Sequence, residues 1–132
     1  MMTFQELKKL AKYTPADLPV IKIALIGDTA TQFLATAIRG AGVERGYQID
    51  LFEAEYNQVE RQFLDPSSEL YQSDADYIVL FQSTHKLGER HSLLSPNQQD
   101  ALAEERLAFV ASICENPVLA DKKIICLDYP EI

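Results

Sequence analysis

Three apolar runs constrain this chain more than any other feature: VIKIALI at 20–26, YIVLF at 77–81 and IICLD at 124–128. Lys22 is the only polar residue inside the first, and Asp128 closes the last. A strand that is apolar on both faces has to be covered on both faces, which is the situation of a strand within a parallel sheet. Segments with helical periodicity lie between the runs. The order β-α-β-α-β-α-β makes a parallel, doubly wound sheet the economical architecture, because right-handed crossovers lay helices on both faces. The expected fold is an α/β three-layer sandwich with a mostly parallel sheet.

The remaining segments fit around that frame. TFQELKKLAK at 3–12 has Thr3 and Glu6 at capping-box spacing and Phe4, Leu7 and Leu10 on one stripe, so it predicts a short amphipathic helix. Pro15 and Pro19 then break the chain, making 1–19 a helix and linker ahead of an α/β domain at 20–132. A helix is expected over 31–43, with Phe33, Leu34, Ala37, Ile38 and Ala41 inward and Gly40, Gly42 and Gly46 closing its end. YQIDLFE at 47–53 alternates at its start, as a strand nearer the sheet edge would.

The polar stretch 54–75 predicts a helical turn over 58–64, then a turn at Asp65-Pro66-Ser67-Ser68 leading into a second short helix. Residues 82–97 read as a long loop, with Pro96 suited to a first helical turn. A long helix over 98–114 would turn Leu102, Phe109, Val110 and Ile113 inward. The sequence stops at YPEI, directly after a strand, where an open α/β sheet usually continues. It reads as the front of a larger protein, with a sheet edge near 124–127 open to self-association.

Composition narrows the function classes. A chain of 132 residues can bury about 68% of its unfolded surface, so a core is possible without disulfides or metal. Net charge is −8, the isoelectric point is near 4.7, and Lys and Arg are scattered, which excludes a phosphate-binding face for nucleic acid. Cys114 and Cys126 sit in apolar segments outside any metal-ligand spacing and are expected as buried thiols of a reducing compartment. Neither a signal peptide nor a run approaching the ~20 apolar residues of a membrane span is present, so the expected location is cytoplasmic. No cluster of metal ligands is apparent.

Ligands of open α/β sheets sit outside the carboxyl ends of the strands. Three polar turns fall there, GDTATQ at 27–32, EAEYNQ at 53–58 and FQSTHK at 81–86, and their convergence is the default site. Two readings of GDTATQ stand side by side. In one, Thr29 and Gln32 form a capping box, Gly27 relieves crowding and Asp28 complements the helix dipole. In the other, Thr29 is a nucleophile presented at a strand-to-helix turn whose N–H groups support an oxyanion. The second needs a base, and the chain offers only His85 and His91, both in the stretch read as loop. Neither a P-loop nor a dinucleotide fingerprint is present.

The segments ALIGDTATQFLATAIRG, FEAEYNQVERQFLDPSSELY and YIVLFQSTHKL together resemble the N-terminal region of FkbH-like proteins, over about 3–132. LDPSSELY and YNQVERQ are the specific parts. The resemblance implies an SGNH/GDSL-hydrolase-like (flavodoxin-like) domain preceding a haloacid-dehalogenase-type phosphatase domain. It implies transfer of a glyceryl unit from 1,3-bisphosphoglycerate to an acyl carrier protein. The carrier and the protein's own phosphatase-like domain would be the partners, and Mg²⁺ would belong to that second domain, with no cofactor in this segment.

By the same resemblance Thr29 stands at the hydrolase nucleophile position, where the family pattern has Ser, and its extra methyl crowds attack. Gln82, Ser83 and Thr84 align loosely with the third hydrolase block, and the last block, Asp-x-x-His, would lie beyond Ile132. Asp28, Gln58, Arg61, Gln82, Ser83 and Thr84 are the candidates for lining a substrate pocket, with Arg61 able to hold a carboxylate or phosphate bidentately or to form a surface ion pair. Asp65, Ser67 and Ser68 are expected to shape a turn and cap a helix. The alternatives are a non-catalytic module that docks a carrier or the phosphatase domain, and an SGNH-type ester hydrolase. The segment alone is expected to be inactive.

Overall fold

The computed structural model of the chain describes residues 1–13, 15, 17–127 and 129. Its centre is a four-stranded sheet built of β1 (Val20–Gly27), β2 (Gln48–Glu53), β3 (Tyr77–Phe81) and β4 (Lys123–Cys126), in the order β2-β1-β3-β4. All three pairings are parallel, with Ile23 beside both Leu51 and Tyr77 and Ile78 beside Ile124. The continuous apolar runs are explained by two cores, one on each face of the sheet. Ala24, Ile26, Ile78 and Leu80 point to a larger core with Val59, Phe63, Leu70 and Ile113. Leu25 and Val79 point the other way, to a smaller one with Ala35, Leu34 and Ile38. The three-layer α/β expectation holds, and β2 is at an edge as its alternation implied.

The helices divide between those faces. α1 (Phe4–Ala11) and α2 (Gln32–Glu44) lie on the side of the small core, with α1 resting on α2. On the other side are α3 (Val59–Leu64), α4 (Glu69–Gln72), α6 (Pro96–Cys114) and the 3₁₀ turn Pro117–Leu119. α1 has the Thr3–Glu6 capping box read from the sequence, with Glu6 N–H donating to Thr3 and Thr3 N–H donating to Glu6.

Several local expectations are corrected. Residues 82–97 are not a loop, because α5 occupies Thr84–Ser92 and starts where Ser83 Oγ accepts the Lys86 N–H at 3.1 Å. Every residue of α5 is at least partly exposed, so it lacks the apolar stripe that would have revealed it. In α2, Phe33 is 67% exposed and meets Phe4 of α1 edge-on at 5.7 Å, while Ala35, Gly40 and Gly42 are the buried positions. Gly40 and Gly42 therefore do not end the helix. A Cβ on Gly40 would collide with the Leu7 backbone carbon at 2.7 Å, and one on Gly42 with Ile49 Cδ1 at 2.7 Å. Gly46 alone has the left-handed φ, +86°, of a helix-closing residue. Cys114 and Cys126 are both exposed, because one lies on the outer side of the last turn of α6 and the other on an edge strand.

The stretch 56–71 forms a buried polar knot. Gln62, 2% exposed, accepts the Leu70 N–H through Oε1 at 3.0 Å and donates from Nε2 to Glu69 at 3.0 Å. Ser68, fully buried, donates its hydroxyl to the Gln62 carbonyl at 2.6 Å. Asp65 Oδ1 takes the N–H and hydroxyl of Ser67 and so shapes the turn as expected. Ser68 precedes α4 in extended conformation, but its hydroxyl joins two helices instead of capping one.

Candidate functional site

The connections after β1 and β3 leave the sheet on opposite sides. From β1 the chain crosses outward to β2, then returns over β1 to β3 on its far flank. This reversal opens a crevice at the carboxyl ends of β1 and β3, the usual ligand position in such sheets. The three polar turns do converge there. Asp28 N–H donates to the Phe81 carbonyl at 3.2 Å, and Asn57, held at φ +65°, donates its N–H to the Gly27 carbonyl at 3.2 Å. Both Asp28 carboxylate oxygens lie 3.0 Å from the Ser83 N–H. Burial raises the Asp28 pKa, and the hydrogen bonds from Ser83 only partly offset it.

The capping box expected for GDTATQ does not form. α2 begins after Thr31, whose hydroxyl donates to Glu53 at 3.1 Å. Gly27 is needed for close approach, since a Cβ there would come within 2.6 Å of the Thr31 methyl. Asp28 serves as a strap between the first and third strand ends and not as a partner of the helix dipole.

The crevice contains a cavity of about 290 Å³, lined among others by Asp28, Asn57, Glu60, Gln82, Arg90 and Arg106. Its charged groups are interlocked. Glu60 Oε1 receives Arg90 and Arg106, each at 3.1 Å, and Arg90 also reaches Glu105 at 3.1 Å. Burial alone would raise the Glu60 pKa, but its own backbone N–H and the two guanidinium groups outweigh that and lower it. Arg106 is only 7% exposed and stacks over the Phe109 ring at 4.7 Å. Burial raises the Tyr129 phenol, which also faces Arg106. Gln82, Arg106 and Tyr129 further border an apolar groove of about 570 Å³ with Leu102, Leu107 and Val110.

Residues 22–132 match the family described as FkbH, N-terminal domain. The chain belongs to this family. A crystal structure of the N-terminal part of the protein BF1531 from Bacteroides fragilis, containing a phosphatase domain complexed with Mg, is similar to it at 52% identity and a TM-score of 0.93. That similarity covers 100% of this chain and 34% of the other, so the chain spans about a third of its solved relative. No curated protein matches the chain.

Within this FkbH N-terminal domain the predicted site residues separate. Asp28 and Gln82 line the crevice cavity, and Ser83 holds Asp28 from beside it. Gln58 and Arg61 border a different, acidic hollow with Glu53, Glu55 and Glu69. There Arg61 pairs with Glu69 at 3.0 Å and also donates to the Gln58 amide oxygen at 2.9 Å. Thr84 starts α5, on a shallow depression with His85 and Gly88. Among the described residues no histidine or carboxylate hydrogen-bonds Thr29. His85 instead pairs with Glu89 at 3.0 Å on the exposed face of α5.

Among the described residues no group of three His, Cys, Asp or Glu could hold a metal ion, and no helix is long and apolar enough to cross a membrane. Sequence reasoning missed Glu60, Arg90 and Arg106. A signal for Arg106 existed, because it falls on the stripe of Leu102, Phe109, Val110 and Ile113, where a charged residue needs a reason.

The acidic hollow supplies a pH prediction. The hydrogen bond from Arg61, with those from its own backbone N–H and Gln62, takes Glu69 from its ordinary 4.5 down to about 2. A lowered carboxylate stabilises the fold above the unfolded pKa and loses that contribution as pH falls through the folded one. Because the Arg61–Glu69 pair is half exposed and screened by solvent, thermal stability should therefore decline only modestly from just above 4.5 towards 2. In Glu69→Gln that decline should be shallower in melts followed by circular dichroism. Asp28, shifted the opposite way, works against this trend, so an unchanged acid limb in Glu69→Gln would contradict the assignment.

Proposed function

We propose that this domain is a non-catalytic binding module of a longer protein that also carries a phosphatase domain. On this reading the whole protein transfers a glyceryl or related acyl unit from 1,3-bisphosphoglycerate to an acyl carrier protein, and the Mg²⁺ chemistry belongs to the phosphatase domain. The family membership and the phosphatase domain named for the Bacteroides fragilis relative support the setting. The observation that favours binding over catalysis is that Asp28, next to Thr29 in the same turn, is committed to the Ser83 N–H, 3.0 Å from both carboxylate oxygens.

The test uses the longer protein, 1,3-bisphosphoglycerate and a panel of carrier proteins, with carrier mass as the readout. Wild type and Thr29→Ala are expected to load the carrier equally, and deletion of this domain should abolish carrier capture. Loss of loading in a folded Thr29→Ala protein would make Thr29 a nucleophile. Absence of any adduct with wild type on the cognate carrier would remove the transfer reading itself.

A further inference from the structure

One wall of the crevice is far less secured than the others. α5 supplies Lys86, Leu87, Glu89 and Arg90 to the 290 Å³ cavity, yet none of its own residues is buried. Leu87 is its one large apolar side chain and is itself partly exposed. Gly88 sits in the middle of the helix, and a methyl added there would meet no described atom within 4 Å, so packing does not require a glycine. A mid-helix glycine in open space weakens the helix about fivefold relative to alanine. A helix of nine residues is also below the ~12–15 at which an isolated helix persists in water.

The described fastenings of α5 are polar. At its start the Ser83 N–H is fixed to Asp28 at 3.0 Å, and Ser83 Oγ takes the Lys86 N–H. At its end the His91 carbonyl accepts from Gln99 Nε2 at 3.0 Å. Between them Arg90 reaches Glu60 of α3 and Glu105 of α6, each at 3.1 Å, through side chains 44%, 45% and 51% exposed. Exposed ion pairs contribute little and are screened by salt. His85 and Lys86 pair with Glu89 inside the same helix, so those pairs do not tie α5 to the body of the domain.

We infer that α5 is a lid on the crevice, hinged at Ser83 and at the Leu93–Ser95 link and latched by Arg90. Lids are drawn from the least stable parts of a fold, which is where these features place α5. Leu87 borders both the cavity and the apolar groove of about 570 Å³, so lifting the helix joins the two spaces and uncovers Val59 and Gln82. The lid governs entry to the crevice whatever the longer protein transfers, and so stands apart from the carrier reading.

Hydrogen exchange of the chain followed by mass spectrometry tests it, together with thiol labelling of Val59→Cys, a buried position on the α3 wall of the cavity. Labelling is read peptide by peptide, with the exposed Cys114 and Cys126 as fast references. Amides over 86–92 are expected to exchange about a hundredfold or more faster than those of β1 and β3, as local opening requires. Gly88→Ala should slow both that exchange and labelling of the introduced thiol about fivefold. Arg90→Gln, or ~1 M salt, should speed both several-fold and leave β1 and β3 unchanged. Gln82→Cys, buried at the end of β3, repeats the labelling if the Val59 variant misfolds. Protection of α5 equal to that of β3 would overturn the proposal. So would labelling that ignores both Gly88→Ala and Arg90→Gln, because α5 would then fray without opening the crevice.

Discussion

Gly40→Ala should release α1 from the rest of the domain. The Gly40 Cα faces the Leu7 backbone, and an added methyl carbon would stand 2.7 Å from the Leu7 carbonyl carbon and 2.8 Å from its Cα, with the carbonyl oxygen closer still. Backbone atoms inside a hydrogen-bonded helix cannot swing aside as a flexible side chain would, so the two helices must separate. Overpacking of this kind costs about 1–3 kcal/mol. An eight-residue helix is marginal alone, since isolated helices shorter than ~12–15 residues rarely persist in water. Its capping box is local and survives undocking, but its contacts with α2, including the Phe4–Phe33 edge contact, do not. Amide exchange should accelerate towards unprotected rates over 5–11, while β1 and β3 retain protection. Unchanged protection of α1 would show that the crossing is looser than the geometry indicates.

The second large effect is expected at Gln62. Leucine has a similar volume, but it would leave the buried Leu70 N–H without the acceptor it now has at 3.0 Å and would remove the bond to Glu69. An orphaned buried donor costs about 1–3 kcal/mol, which for a domain of this size lowers the melting temperature by roughly 5–10 °C. Arg61→Gln breaks an ion pair whose members are 46% and 52% exposed and should change it little. The contrast between the two variants is the measurement. Equal melting temperatures for Gln62→Leu and wild type would mean that the knot is not what joins α3 to α4.

That knot gives LDPSSELY and YNQVERQ a structural role. Their serines and glutamines satisfy one another and the backbone between two short helices, a structural role that needs specific residues at specific spacings. The reading of Asp65 and Ser67 as turn formers was available from the sequence because an aspartate bonding two residues ahead is a local event. The role of Gln62 was not, because its partners lie seven and eight residues away and face it only after the turn has formed.

The same distinction runs through the site. The convergence of three turns was legible, since strands that are apolar on both faces imply a parallel sheet, and parallel strands place their carboxyl-end loops on one side. GDTATQ looked like a capping box by spacing, yet Thr31 turned to Glu53 across the sheet edge and the helix began later. α5 was hidden because a helix exposed along its length has no apolar period to detect. Gly40 resembled a helix stop because the pattern of glycines near a helix end is the same whether they end it or admit a neighbour.

The sequence by itself thus determined the strands, their parallel sense, the capping box of α1 and the edge position of β2, all of which follow from side-chain patterns within a few residues. Only the tertiary structure decided the strand order β2-β1-β3-β4, and with it the crevice. It set the Asp28 strap to Ser83, 55 residues away, and the bond from Arg106 to Glu60, 46 residues away. Those pairings arise because burial removes water as a competing partner, and which charged groups lose their water together is a property of the packed chain, not of any short stretch of it.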